Sequence, residues 1–269
     1  MTIAFIGAGN MAISLIRGLL ENGTEATAIV AADPNPEQRM KAADLGITTL
    51  EDNNAAIHQA EVIVLAVKPQ IAANVVKSLD SINPQHLVIS IAAGINLESL
   101  QSWLPNHQPV VRCMPNTPAL VGAGMTALYA NAAVSPTHLS AAEHVLQAAG
   151  KIVWVNEEAK LDAVTAVSGS GPAYFFLLME HMINAGIELG LDAQTSKELT
   201  LQTAYGAALM AQQAPEPVAT LRENVTSPAG TTEAALNKML EQHVPEAVVS
   251  ALHAAHQRSI ELAKEFGNP

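Results

Sequence analysis

Residues 226–233 read Thr-Ser-Pro-Ala-Gly-Thr-Thr-Glu, so four hydroxyls, a proline and a glycine crowd into the approach to an Ala/Leu-rich run. Ser227, Thr231 and Thr232 supply hydroxyls, and Pro228 and Gly230 fix a turn. Glu233 follows Gly230 by three residues, the spacing of a helix-starting capping arrangement. A helix N-terminus presents free backbone N–H groups and partial positive charge, so the chemistry on offer is capture of a carboxylate beside several hydroxyls. The same residues also make an ordinary capped helix after a proline turn, and the stretch alone does not separate the two readings.

A second constellation opens the chain. Gly7, Ala8, Gly9, Asn10, Met11 and Ala12 follow a short apolar run directly and lead into a helical stretch, giving a Gly-x-Gly-x-x-Ala form of the dinucleotide fingerprint. Gly7 permits the tight turn, Gly9 lets a pyrophosphate approach the backbone, and Ala12 keeps the helix close to the sheet. Asp33 ends the second apolar run, where a carboxylate accepts the ribose hydroxyls of NAD and repels the 2′-phosphate of NADP. Arg39 and Lys41 lie just beyond and compensate that charge, so NADH and NADPH both stay open. Lys68, in the stretch Ala66, Val67, Lys68, Pro69, reads as a surface charge or an electrostatic neighbour of the cofactor rather than a catalytic group.

The elements that must position these residues change character along the chain. Apolar, β-branched runs at residues 2–6, 28–32, 61–67, 87–91, 110–114, 125–130 and 151–155 alternate with helical stretches and predict a parallel α/β sheet. Past residue 157 the strand-like runs stop, and Ala/Leu-rich stretches at 172–189, 194–213, 231–242 and 245–266 predict helices. The expected organisation is an N-terminal Rossmann-like dinucleotide-binding domain over 1–157 and an all-helical domain over 158–269.

Of the 269 residues, 49% are hydrophobic but only 14% are charged and 3% aromatic, so some apolar surface is expected to be hidden against another copy of the chain. A net charge of −12 argues against nucleic acid and anionic membranes as partners, because both favour clustered Lys and Arg. Cys113 is the single cysteine, which rules out an internal disulfide or a cysteine metal cluster. With a strand already at residues 2–6 in place of a leader, the expected compartment is the cytoplasm. No phosphate loop of the kinase type is present, and His253 and His256 lack a third ligand, so no metal site is expected. Glu180 and Glu188 have no carboxylate partner nearby, and the serines at 168 and 170 follow no strand that would make a nucleophile elbow.

Several segments together resemble the pyrroline-5-carboxylate reductases, the enzymes of the last step of proline synthesis. These are residues 5–12, 66–69, Arg112-Cys-Met-Pro-Asn-Thr-Pro-Ala119, Val167-Ser-Gly-Ser-Gly-Pro-Ala-Tyr174 and 226–232. The resemblance implies an NAD(P)H-binding domain followed by a helical dimerisation and substrate domain that interlocks with a second chain. It implies cofactor contacts at Gly7, Gly9, Asn10, Met11 and Ala12, with Asn53 near the adenosine and Ala66, Val67, Lys68 and Pro69 along the ribose. Ser227, Gly230, Thr231 and Thr232 would then hold the carboxylate and ring nitrogen of 1-pyrroline-5-carboxylate, with Thr232 the catalytic contact. Two departures stand out: Ala229 where many members carry a second glycine, and Asp33 where many members prefer NADPH.

Two other readings share the architecture. The β-hydroxyacid dehydrogenases place a lysine four residues after a glycine at the start of the helical half; here Gly169 is followed at that distance by Ala173 and Gly171 by Phe175. A non-catalytic nucleotide-binding relative would show a damaged substrate loop, and this one is intact.

Overall fold

The structure is a computed structural model that describes residues 1–58 and 60–267. Its strands are β1 (Ile3–Ile6), β2 (Ile29–Ala32), β3 (Thr48–Leu50), β4 (Val62–Leu65), β5 (Leu87–Ser90), β6 (Val110–Met114), β7 (Gly124–Ala130) and β8 (Gly150–Trp154). Helices interleave as α1 (Asn10–Glu21), α2 (Pro36–Ala43), α3 (Asn53–Ile57), α4 (Pro69–Lys77), α5 (Leu97–Trp103), α6 (Pro136–Gln147) and α7 (Lys160–Val164). Five more follow: α8 (Gly171–Glu188), α9 (Ala193–Gln213), α10 (Val218–Asn224), α11 (Thr231–Glu241) and α12 (Val244–Phe266).

The strands form one sheet in the order β3-β2-β1-β4-β5-β6-β7-β8. The chain leaves β1 toward β2 on one side and returns to β4 on the other, so the strand order reverses there, the point at which open α/β sheets bind dinucleotides. β1, β4 and β5 are buried at every position, which is why they read as unbroken apolar runs. Period two sorts β1 between the layers. Ile3 and Phe5 pack with Leu15, Ile16 and Leu19 of α1 and with Val145 and Leu146 of α6. Ala4 and Ile6 pack with Ile57, Val76, Leu100 and Trp103 on the opposite face.

Two features of the sheet depart from the expected pattern. β3 is not among the apolar runs, because its three residues are polar or half-exposed and show no alternation. β7 runs antiparallel to β6, so the sheet is not wholly parallel. The link of residues 115–123 is shorter than the dozen or so residues a parallel crossover requires, which forces the reversal. On β6, Cys113 is 2% exposed, its thiol donates to the Ser90 carbonyl at 3.3 Å, and burial pushes its pKa far up.

The described residues divide into two compact units: Met1–Ser170 with the residues from Ala255 on, and Gly171–Ala254. Packing of the first unit therefore continues past the change from strand to helix at residue 157. Leu161 and Ala166 are buried in it, and the Ser259 hydroxyl donates to Asp162 Oδ1 at 2.7 Å. The second unit is helical and includes α10, a seven-residue helix whose short run between prolines and Thr226 carries no clear period. Phe175, Phe176 and Tyr205 are each more than 60% exposed in it, the kind of surface the composition expects a second copy to cover. No helix among the described residues is long and apolar enough to cross a membrane.

His86 precedes β5 and is buried, and that burial lowers its pKa below 6.5. Its Nδ1 accepts from the Asn83 N–H at 3.2 Å, a bond only the neutral ring can make. The unfolded chain therefore takes up this proton at a higher pH than the folded one, and stability is lost as the pH falls below 6.5. Thermal melts are expected to drop more steeply through that range for the native chain than for His86→Gln.

Candidate active site

The first set of candidate residues gathers at the carboxyl edge of the sheet. Gly7 leaves β1 with φ +98°, and its N–H donates to the Ala32 carbonyl at 2.7 Å. A Cβ here would stand 2.5 Å from the Ala66 carbonyl oxygen, so only glycine lets the chain turn beside the end of β4. Gly9 is different: its φ is −69°, and a Cβ built there meets nothing within 4 Å. The space at Gly9 is free for a ligand, as close approach of a pyrophosphate requires. Ala12 is fully buried, which holds α1 against the sheet.

Gly9, Asn10, Met11, Ala66, Val67, Lys68 and Pro69 line one cleft of about 330 Å³, together with Ile91, Ala92, Ala93, Met114 and Pro115. Asp33 and Asn53 lie outside it, past the ends of β2 and β3; with order β3-β2-β1-β4, the candidates form a track along the edge. Residues 91–93 reach the cleft because they follow an apolar strand run to the same carboxyl edge, whereas the contributions of Met114 and Pro115 follow from the pairing of β5 with β6, which the sequence does not state.

Helix starts supply the electrostatics. Side chains of Asn35, Asp52, Asn96, Ser135 and Asp192 cap α2, α3, α5, α6 and α9. By contrast α1, α4 and α11 begin at Gly9, Lys68 and Gly230 without a side-chain cap, as do the short α7 and α10. Neither α1 nor α4 has an acidic residue in its first turn, and both send their first residues to the same cleft. Unclaimed N–H donors and the Lys68 ammonium make that cleft a fit for a dinucleotide diphosphate.

Asp33 has an occupation the sequence does not reveal. Its Oδ2 accepts from the Ala8 N–H at 2.8 Å and its Oδ1 from the Asn35 N–H at 2.8 Å. Arg39 is also engaged, donating through Nη1 to the carbonyls of Asp33 and Pro34 at 2.7 and 2.9 Å.

The hydroxyl-rich loop belongs to the helical unit. Gly230 is the N-cap of α11, and Glu233 reaches back from the first turn to accept from the Ala229 N–H at 2.7 Å. The capping spacing thus forms, with the carboxylate serving the residue before the cap. Ala229 takes φ +55°, the left-handed conformation a second glycine would adopt without strain. Ser227 and Thr231 are exposed and Thr232 is half-buried. Their hydroxyls hold no hydrogen bond to another of the described residues, which leaves them available.

Arg112 is structural. Its Nη1 pairs with Glu158 Oε1 at 2.8 Å, and the same oxygen accepts from the Leu97 N–H at 2.7 Å. Asn116 bridges, accepting from the Met125 N–H at 2.9 Å and donating to the Ser168 carbonyl at 3.1 Å. Ser168 lies in a π-helical turn, Thr165–Gly169, and its hydroxyl is buried without a partner.

Known proteins match this chain from end to end. A pyrroline-5-carboxylate reductase of Pseudomonas aeruginosa is 52% identical over 267 residues, covering 98% of both chains. The chain belongs to the pyrroline-5-carboxylate reductase family. The family's dimerisation model matches residues 158–262, and a model described as NADP oxidoreductase coenzyme F420-dependent matches residues 2–94. A solved pyrroline-5-carboxylate reductase from Coxiella burnetii superposes with a TM-score of 0.89 at 39% identity, covering 97% of this chain and 98% of its own. One from Plasmodium falciparum, solved with NADP bound, gives 0.89 at 30% identity and 98% coverage of each.

Two glycines of the cofactor fingerprint are expected to behave oppositely in this family member. Gly7→Ala should destabilise the fold by about 2 kcal/mol or more in denaturant titration, from left-handed strain plus collision with Ala66. Gly9→Ala should leave stability nearly unchanged and weaken dinucleotide binding by calorimetry. Ala229→Gly is expected to raise stability by about 1 kcal/mol in the same titration, because it relieves the strain at φ +55°.

Proposed function

We propose that this chain reduces 1-pyrroline-5-carboxylate to L-proline with NADH or NADPH. The observation that carries the reading is the open, uncapped start of α1 at Gly9, set at the switch point of a sheet whose chain matches the family over its full length. Bound NAD(P)H supplies the hydride that adds to the imine carbon. The chain's own residues bind and orient. N–H groups of α1 and α4, with Lys68, hold the diphosphate, while Gly7 and Ala12 keep that loop in shape; Asn53 and Asp33 lie toward the adenosine end.

The substrate carries a carboxylate and an imine nitrogen. Ser227, Gly230, Thr231 and Thr232 take the carboxylate through hydroxyls and the free N–H groups at the start of α11, and the Thr232 hydroxyl hydrogen-bonds the ring nitrogen as it becomes an amine. Support for this assignment lies in the absence of any side-chain cap on α11 and in hydroxyls that no described residue occupies. Little acid–base machinery is needed, because the imine is readily protonated. Positioning of the acceptor carbon against the hydride donor would supply most of the rate.

The helical domain from residue 158 on is the dimerisation and substrate domain, and the chain works as a homodimer or a larger assembly of dimers in the cytoplasm. The match to the family's dimerisation model and the solvent-facing Phe175, Phe176 and Tyr205 support the self-association.

Oxidation of NADH and of NADPH, measured separately with 1-pyrroline-5-carboxylate and with a simple keto acid, tests the reading. Turnover of the cyclic imine is expected, and turnover of the keto acid alone would overturn the assignment. Thr232→Ala should lower kcat by about tenfold or more, the scale of a lost polar contact in the transition state. A kcat equal to the native value at saturating substrate would remove Thr232 from the mechanism.

A further inference from the structure

Helix α7 runs directly into the π-helical turn Thr165–Gly169. Such turns are rare and frequently mark functional sites. This one is fixed at three points. The Thr165 carbonyl accepts from the Ser170 N–H at 2.8 Å, the five-residue reach of a π-turn. The Thr165 hydroxyl donates to the Leu161 carbonyl at 2.8 Å, and the Ser168 carbonyl accepts from Asn116 Nδ2 at 3.1 Å. Asn116 is itself held through the Met125 N–H at 2.9 Å.

Gly169 ends the turn against Met114. A Cβ at Gly169 would stand 2.6 Å from Met114 Cε and 3.7 Å from Cγ of the same side chain. The tip of Met114 thus occupies the place of the missing Cβ, and Gly169 is not among the glycines whose positive φ would demand that residue. At Gly7 the collision is with a backbone carbonyl, whereas here it is with the end of a side chain that turns about three bonds. A methyl group added at 169 therefore moves Met114 and not the pinned turn. Met114 is half-buried and lines the cleft of about 330 Å³ beside Pro115, Ile91 and Ala92, so the cleft is the open space it borders.

That end of the cleft follows β5 and β6, on the opposite side of the switch point from Asp33 and Asn53. With the diphosphate at α1 and the adenosine toward β2, the nicotinamide falls here. Resting on the dinucleotide-binding part of the proposed function, we infer that Gly169 is a positioning residue for the nicotinamide half of the cofactor. By seating the Met114 tip where a Cβ would be, it keeps the cleft clear for the ring.

The test compares NADH with ADP-ribose, which carries the adenosine and diphosphate but no nicotinamide, and NADPH with 2′-phospho-ADP-ribose. Calorimetric titrations of the full chain use the native protein, Gly169→Ala, Met114→Ala and the double variant. Gly169→Ala should weaken the dinucleotides by about tenfold and leave the two ring-less ligands within about twofold of native. In the Met114→Ala background the same change should weaken the dinucleotides by no more than about twofold, because the group it displaces is gone. Denaturant titration should place Gly169→Ala near the native midpoint.

Equal loss of dinucleotide and ring-less ligand would overturn the inference, since the turn itself would then be distorted. So would a tenfold loss that persists in the Met114→Ala background, or a Gly169→Ala chain that does not fold, because Met114 would not be the group that yields. Native protein that binds neither dinucleotide overturns the proposed function and this inference with it. Native binding with an indifferent Gly169→Ala overturns this inference alone.

Discussion

Parallel strands that are buried on both faces must all finish on the same edge, and the helices that follow them must all begin there. This constraint shapes the molecule. The starts of α1 to α5, which follow β1 to β5, bring unsatisfied N–H groups to that edge, and each must find an acceptor. For α2, α3 and α5 the chain provides one from its own Asn35, Asp52 and Asn96. For α1 and α4, which flank the point where strand order reverses, it provides none. In the proposed function, dinucleotide binding completes the hydrogen bonding that folding leaves undone at these two helix starts.

The same device recurs at α11, where the loop accepts a cost. Ala229 sits in a left-handed conformation that a glycine would adopt freely, and Glu233 holds it there through the Ala229 N–H. That carboxylate serves the residue before the cap and leaves the first N–H groups of the helix alone. The loop is therefore built to keep its donors unspent while staying in one shape.

Much of this was legible from residue types. Gly7 announces itself because turning beside Ala66 forbids a Cβ, Gly9 because it completes the Gly-x-Gly spacing, and the buried strands are unbroken apolar runs because both faces are covered. What stayed hidden depends on contacts distant in sequence. β3 has only three residues and no alternation, and the direction of β7 is decided by the length of the link before it. At Asp33 the residue type suggests a ribose contact, but its bond to the Ala8 N–H, twenty-five positions away, is visible only in the structure. The roles of Met114 and Pro115 in the cleft, and of Glu158 in anchoring Arg112 and α5 together, likewise follow from strand order.

The burial of Cys113 on β6 has a practical side. Its thiol lies in the sheet interior, is turned to the Ser90 carbonyl and is disfavoured as a thiolate by burial, so reagents that attack thiolates have no route to it while the sheet is closed. As the chain's one sulfhydryl, it reacts only through opening of the sheet. The protein thus carries its own clock for the breathing of its cofactor-binding half, readable by modification rate without any label being engineered in.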